Sequence, residues 1–144
     1  MAEQFEIAAW RHVRVAEALH SLHEHDDAGY HCGVAGENAL KALLQKAGLE
    51  SHWVGLGVNL RNTPMRGHFP TLHALVQGVR AEIASSAHGR YASAISGIVL
   101  DPSFAVRFSG WHIDIRYADT MYTPVSGAVC AQWLEDAHDL VLAI

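Results

Sequence analysis

Along the first two dozen residues, Phe5, Ala8, His12, Val15, Ala16, Leu19, Leu22 and His23 recur on one side of a helix of about 3.6 residues per turn. Glu6, Arg14, Glu17, Ser21 and Glu24 fall opposite, so the spacing predicts an amphipathic helix over residues 3–24. Asp26-Asp27 then offers an N-cap, and residues 28–47 run without proline to Gly48, a natural C-cap. The two segments together read as an antiparallel helical hairpin. On the second helix Cys32, Ala35, Gly36, Ala39, Leu40, Leu43 and Leu44 form a wide apolar arc, which predicts the most buried helix of the protein. Gly33 and Gly36 would let a neighbouring backbone come close.

Residues 48–70 carry glycines, two prolines and no sustained period, and they read as a long loop. Loops longer than about 12–15 residues are uncommon within a compact domain and are often functional. Helical spacing resumes from Thr71 to about Ser86 through Leu72, Leu75, Val76, Val79 and Ile83. A further helix over 90–100 would bury Tyr91, Ile95, Ile98 and Val99 before Asp101-Pro102 stops it. Residues 104–119 alternate in places but offer no partner strand, and irregular or extended chain is expected there. Thr123-Pro124 predicts the start of a last helix, with Val129, Trp133, Ala137, Leu140 and Ile144 on its apolar side. The expected fold is all-α: an up-and-down bundle of four to five helices, in a single domain over residues 1–144.

Composition narrows the class. Half of the 144 residues are hydrophobic, enough for a core without disulfide or metal staples and too many for a disordered chain. No apolar run approaches the roughly 20 residues a membrane span needs, and Met1-Ala2-Glu3-Gln4 lacks the basic start of a signal peptide, so a soluble cytoplasmic protein is expected. A net charge of -5 argues against a broad duplex-coating face but leaves room for a small basic cleft. Cys32 and Cys130 cannot form a disulfide framework and read as buried thiols with little nucleophilic character.

Eleven histidines are an unusual share. His20, His23 and His25 with Asp26 and Asp27 contain metal-ligand types, yet no second pair of ligands with clear spacing accompanies them, and neither metal nor cofactor is expected. His12 and His23 lie on the apolar stripe, which predicts burial and a bundle weakened by acid. Glu37 and Lys41 stand four apart, acid first, the favourable order for a helix ion pair; Tyr30, Leu40 and Leu44 around Glu37 place the pair at the edge of the core or in a cleft. Trp10 falls on the polar face of the first helix and marks a candidate interface. Gly55-Leu56-Gly57 lacks the further glycine, lysine and strand of a phosphate loop.

The run Tyr30-His31-Cys32-Gly33-Val34-Ala35-Gly36-Glu37-Asn38-Ala39-Leu40-Lys41-Ala42-Leu43-Leu44 resembles the second helix of HEPN domains, where small residues lead into an acid and then Ala-Leu-Lys-Ala-Leu. Leu72-His73-Ala74-Leu75 stands where many of that group carry a His-Asp-Leu turn, and Trp111 through Arg116-Tyr117, followed by an amphipathic helix, resembles the group's ending. The resemblance implies a helical bundle, often a homodimer, in prokaryotic toxin-antitoxin, defence or RNA-processing systems, commonly beside a nucleotidyltransferase. It also implies that metal-independent RNA cleavage, where present, uses Arg-x(4-6)-His, the histidine as acid or base and the arginine on the phosphate.

Such spacings include Arg14 to His20, Arg66 to His73 and Arg107 to His112, while eight arginines and eleven histidines produce about two by chance. Arg107 and His112 lie nearest the family's position, and the branch ending in Arg-Tyr often lacks the motif. The expectation is a non-catalytic HEPN-like protein that binds a nucleotide, an RNA or a nucleotidyltransferase-type partner in a cleft lined by Glu37, Lys41 and Arg116. The alternatives are an endoribonuclease using Arg107 and His112, and a purely structural dimerisation module.

Overall fold

The apolar stripes fold into helices that converge on one central helix. The computed structural model describes residues 4–117 and 124–144. Its helices are α1 (Phe5–Ser21), α2 (His25–Lys46), α3 (Leu49–Gly55), α4 (Thr71–Gly78), α5 (Arg80–Ser86), α6 (Ala92–Ala94), which runs on into a wider turn over Ile95–Val99, and α7 (Gly127–Val141). The fold is all-α, with no strand among the described residues. No helix among them is long and apolar enough to cross a membrane.

α1 and α2 form the expected hairpin. The chain reverses because His23 takes a left-handed φ of 61°, letting Glu24 N–H reach Leu19 O at 3.0 Å and His23 N–H reach His20 O at 3.0 Å. Those two bonds close the carbonyls left open at a helix end. His23 is therefore an exposed turn residue and not part of the packing stripe that its spacing suggested. Gly48, at φ 88°, ends α2 as expected and turns the chain directly into α3. Leu49 and Trp53, one turn apart, bury α3 where a loop was expected. The glycines around this seven-residue helix hide its period.

α2 is enclosed along its length. α1 and α7 pack against it and against each other. Its glycines take aromatic rings: a Cβ at Gly33 would stand 1.9 Å from Trp111 Cε2, and one at Gly36 would stand 2.3 Å from Phe108 Cζ. Trp111 Nε1–H donates to Gly29 O at 2.8 Å, and Trp133 Nε1–H donates to Ser109 O at 3.0 Å, so both indoles keep their hydrogen bond inside the core.

Residues 104–117 are neither extended nor a strand. They form two short 3-10 turns, Pro102–Val106 and Ile113–Tyr117, that bury Phe104, Phe108, Trp111 and Ile115. The stretch predicted as one helix over 71–86 is two, broken at Val79 just after Gly78. Asp101 caps the following turn by accepting Ser103 N–H at 2.9 Å. Thr123 lies outside the described residues; the cap of α7 is Ser126, whose Oγ accepts Val129 N–H at 3.1 Å.

His12 on α1 and His31 on α2 stack with centroids 5.1 Å apart, their Nδ1 atoms 2.9 Å from each other. Such a bond needs one donor and one acceptor, so at least one ring is neutral. Burial lowers the pKa of His12, and the His31 and Arg11 charges lower it further; burial also lowers that of His31, against the pull of Asp27.

Two outcomes follow from this packing. Gly33→Ala drives a methyl into the Trp111 ring and should cost at least about 2 kcal/mol in urea unfolding, whereas Gly97→Ala, with nothing within 4 Å of its Cβ, should be close to neutral. For the histidines, the unfolded chain takes up protons near pH 6.5 while the folded pair resists them. Their stabilising contribution is complete above that pH and is lost as the pH falls from there through the lower pKa of the folded pair. The thermal midpoint should drop between pH 7.5 and pH 5.5, and His12→Gln should make the drop smaller.

Candidate functional site

Glu37 is 3% exposed, and the chain supplies its partners from a segment some thirty residues away. Its Oε1 accepts Phe69 N–H at 2.8 Å, and its Oε2 lies 2.9 Å from His68 Nδ1. Burial pushes the Glu37 carboxyl above its usual range, held back by His68, the Phe69 N–H and the Lys41 charge. Lys41, one turn on, donates from Nζ to Gly67 O at 3.0 Å. The two residues thus act together on residues 67–69, immediately before α4 and across the cis Phe69-Pro70 bond. Their work is to fasten the approach to α4 onto α2.

A second buried carboxylate mirrors the first. Asp136 of α7, 6% exposed, accepts Phe108 N–H at 2.9 Å and Gln132 Nε2–H at 3.2 Å. Phe69 and Phe108 stack with centroids 4.8 Å apart, and Phe69 also meets Phe104, Trp111 and His73. His73 donates from Nε2 to Arg107 O at 2.8 Å, and its burial among these rings lowers its pKa. Asp136 was not singled out by sequence, although helical spacing from Trp133 and its apolar neighbours were available signals. His73 stood out only in the resemblance and in an Arg-to-His spacing, neither of which pointed to a place among aromatic rings.

The Arg-to-His spacings do not become shared sites. Arg107 Nη1 donates to Asp139 Oδ2 at 2.7 Å and lies 3.6 Å from Asp136 Oδ1, so two carboxylates of α7 already balance its charge. His112 is exposed and pairs locally with Asp114, whose N–H donates to His112 Nδ1 at 3.2 Å. Arg14 lines a groove on the outer face of α1, whereas His20 lies at that helix's end. Arg66 donates to Met65 O at 3.1 Å, while His73 sits in the aromatic layer.

Arg116 lines a polar pocket of about 380 Å³ at the start of α2, beside His23, His25, Asp26 and Asp27. Asp26 Oδ1 accepts Val125 N–H there at 2.6 Å, which ties the approach to α7 onto α2. Adjacent to it, one ligand atom each of His20, His25 and Cys130 lie within 4.8 Å of one another. Cys32 and Cys130 face each other, and burial pushes both thiols up, so neither is a ready nucleophile. Trp10 is half-buried and lines the α1 groove with Glu6, Ile7, Arg11, Arg14 and Val15.

No protein-family model matches the chain, and neither does any curated protein or solved structure.

Glu37→Ala leaves the Phe69 N–H without its acceptor in a buried site and should cost about 2–3 kcal/mol. It should also speed tryptic cleavage after Arg66, whereas Glu37→Gln, which keeps an acceptor for Phe69, should cost less on both readouts.

Proposed function

We propose that the chain is a non-catalytic, HEPN-like helical module that works by protein association, first as a homodimer through the outer face of α1, in the toxin-antitoxin or defence setting of that family. The observation that carries this reading is the α1 groove. It has a volume of about 680 Å³ and runs along Ile7, Trp10 and Val15, with Ile7 60% exposed, on a helix whose other face is in the core. Tryptophan held partly in an apolar groove is the kind of residue that anchors interfaces.

A second copy of α1 suits this groove. Glu6 lies at one end and Arg14 at the other, with Trp10 midway. Two such helices crossing antiparallel about a twofold axis set Glu6 of each opposite Arg14 of the other, as a self-complementary interface requires. Glu6 also pairs with Lys46 of its own chain, which fixes where its carboxylate stands.

Arg107 supports the non-catalytic part. A guanidinium already balanced by Asp139 and Asp136 has little field left to stabilise a pentavalent phosphate. Glu37 and Lys41 fasten residues 67–69, while Arg116 lines a separate polar pocket at the start of α2. A nucleotide, an RNA end or a nucleotidyltransferase-type partner would meet the chain at that pocket.

Light scattering of the purified protein should give twice the chain mass. Trp10→Glu should return it to the monomer, Arg14→Glu should weaken the dimer, and Glu6→Arg combined with Arg14→Glu should restore it. A wild type that stays monomeric at high concentration, or a dimer indifferent to Trp10→Glu, overturns the homodimer. Single-stranded RNA and tRNA should remain intact. Chelator-resistant cleavage lost in both Arg107→Ala and His112→Ala would establish the endoribonuclease reading instead.

A further inference from the structure

Three separate elements bring soft and borderline ligands to one point: His20 from the last turn of α1, His25 from the first turn of α2, and Cys130 from the first turn of α7. One ligand atom from each lies within 4.8 Å of the others, and Cys130 is completely buried. Nδ1 of His20 and Nδ1 of His25 are also buried, and neither has a hydrogen-bond partner. Buried ring nitrogens are ordinarily satisfied, because leaving one dry forfeits a bond it would make to water. Two of them beside a buried thiol call for a group that all three can share. His20 and His25 lie against each other with centroids 5.3 Å apart, and the absent side chain of Gly127, whose Cβ would stand 3.2 Å from His25 Nε2, leaves the second ring room to adjust.

We propose that His20, His25 and Cys130 form a binding site for a zinc-class divalent cation, which clips the end of α1 and the starts of α2 and α7 together. Two imidazoles and one thiolate make a three-ligand set with a fourth position for water, a pattern zinc accepts. Zn–N bonds of about 2.0 Å and a Zn–S bond of about 2.3 Å bring tetrahedral ligands to roughly 3.3–3.7 Å of one another. Closing from the observed spacing to that one takes about 1 Å of side-chain movement, small for residues at helix ends. On binding, Cys130 loses its thiol proton to solvent and the cation takes the sulfur lone pair; no electron is transferred. Cys32, buried beside Cys130, is then the neighbouring group closest in kind to the thiolate without being a ligand. His25 also lines the polar pocket beside Arg116, Asp26 and Asp27, which gives the ion a path to solvent.

A histidine-rich chain binds divalent ions loosely at its surface, so the test rests on the sulfur. Metal-free reduced protein titrated with cobalt(II) should bind one ion tightly and develop the near-ultraviolet thiolate-to-cobalt charge-transfer band, with the strong visible bands of four-coordinate cobalt. Zinc should abolish these bands and raise the thermal midpoint. Cys130→Ser should lose the charge-transfer band, while Cys32→Ser keeps it. His20→Ala and His25→Ala should each weaken binding at least tenfold, and His88→Ala should leave it unchanged. In the wild type itself, which needs no variant to fold, zinc should shield Cys130 from alkylation as read on its peptide by mass. A wild type without the charge-transfer band, a band that survives Cys130→Ser, or alkylation of Cys130 at the same rate with zinc present overturns the site.

Discussion

Two buried carboxylates, Glu37 on α2 and Asp136 on α7, each hold the backbone N–H of a phenylalanine, and those phenylalanines stack on each other against the glycine face of α2. The approach to α4 and the turns that precede α7 are held by this arrangement. Burying a carboxylate is costly unless its lone pairs are used, and here each accepts a main-chain N–H and has a further polar partner. Phe108 also adopts a left-handed φ of 56°, a conformation that bulky side chains rarely take. The Asp136 bond and the Gly36 seat hold it there. Residues 56–70 and 100–117 contain only short helical turns, yet they are pinned at Phe69, Phe104, Phe108 and Trp111, which gives these irregular segments fixed positions.

With α1, α7 and the aromatic layer around it, α2 has no open side along its middle. The polar residues that stand out most in its sequence, Glu37 and Lys41, are drawn into fastening residues 67–69. Arg107 is drawn in the same way towards α7. Open grooves remain at the periphery, among them the outer face of α1 and the corner where α1 ends and α2 and α7 begin. The α1 groove lies opposite that helix's core residues Phe5, Ala9, Val13 and Ala16, whereas the corner adjoins the buried Ile115 and the half-buried Val125.

α1, α2 and α7 were legible in the sequence because each is long enough to repeat its apolar period several times. The wide arc of α2 and its glycines correctly marked the most enclosed helix. Shorter pieces left weaker traces. Leu49 and Trp53 are a single turn of signal among glycines, and the break after Gly78 leaves the apolar stripe of α4 and α5 in step on both sides. Phe104, Phe108, Trp111 and Ile115 do follow a helical spacing, i, i+4, i+7 and i+11, but Gly110 at φ 81° interrupts it and the 3-10 turns never form a full helix. Glu37 was recognisable as a polar group among apolar neighbours. Its partner, a backbone N–H at Phe69, has no side-chain signature at all. Cys130 stands more than a hundred residues from His20 and His25, so no ligand spacing could join them before the fold did.

The histidine excess divides along the same physical lines. His12 and His31 share a proton site between α1 and α2; His73 lies in the aromatic layer; His68 faces Glu37; His52 meets Glu82 at 3.0 Å. His138 pairs with Glu17, linking α7 to α1, and His20 and His25 stand with Cys130. Each of these groups joins elements distant in the sequence, whereas an arginine and a histidine five to seven positions apart would have to meet within one element or across one turn. Imidazole suits a small helical core because it can donate, accept or ligate with little bulk. An abundance of histidine in such a chain is therefore better explained by contacts between helices than by any one catalytic motif, and the arginine that lies nearest the family's position is the one whose charge α7 has already taken up.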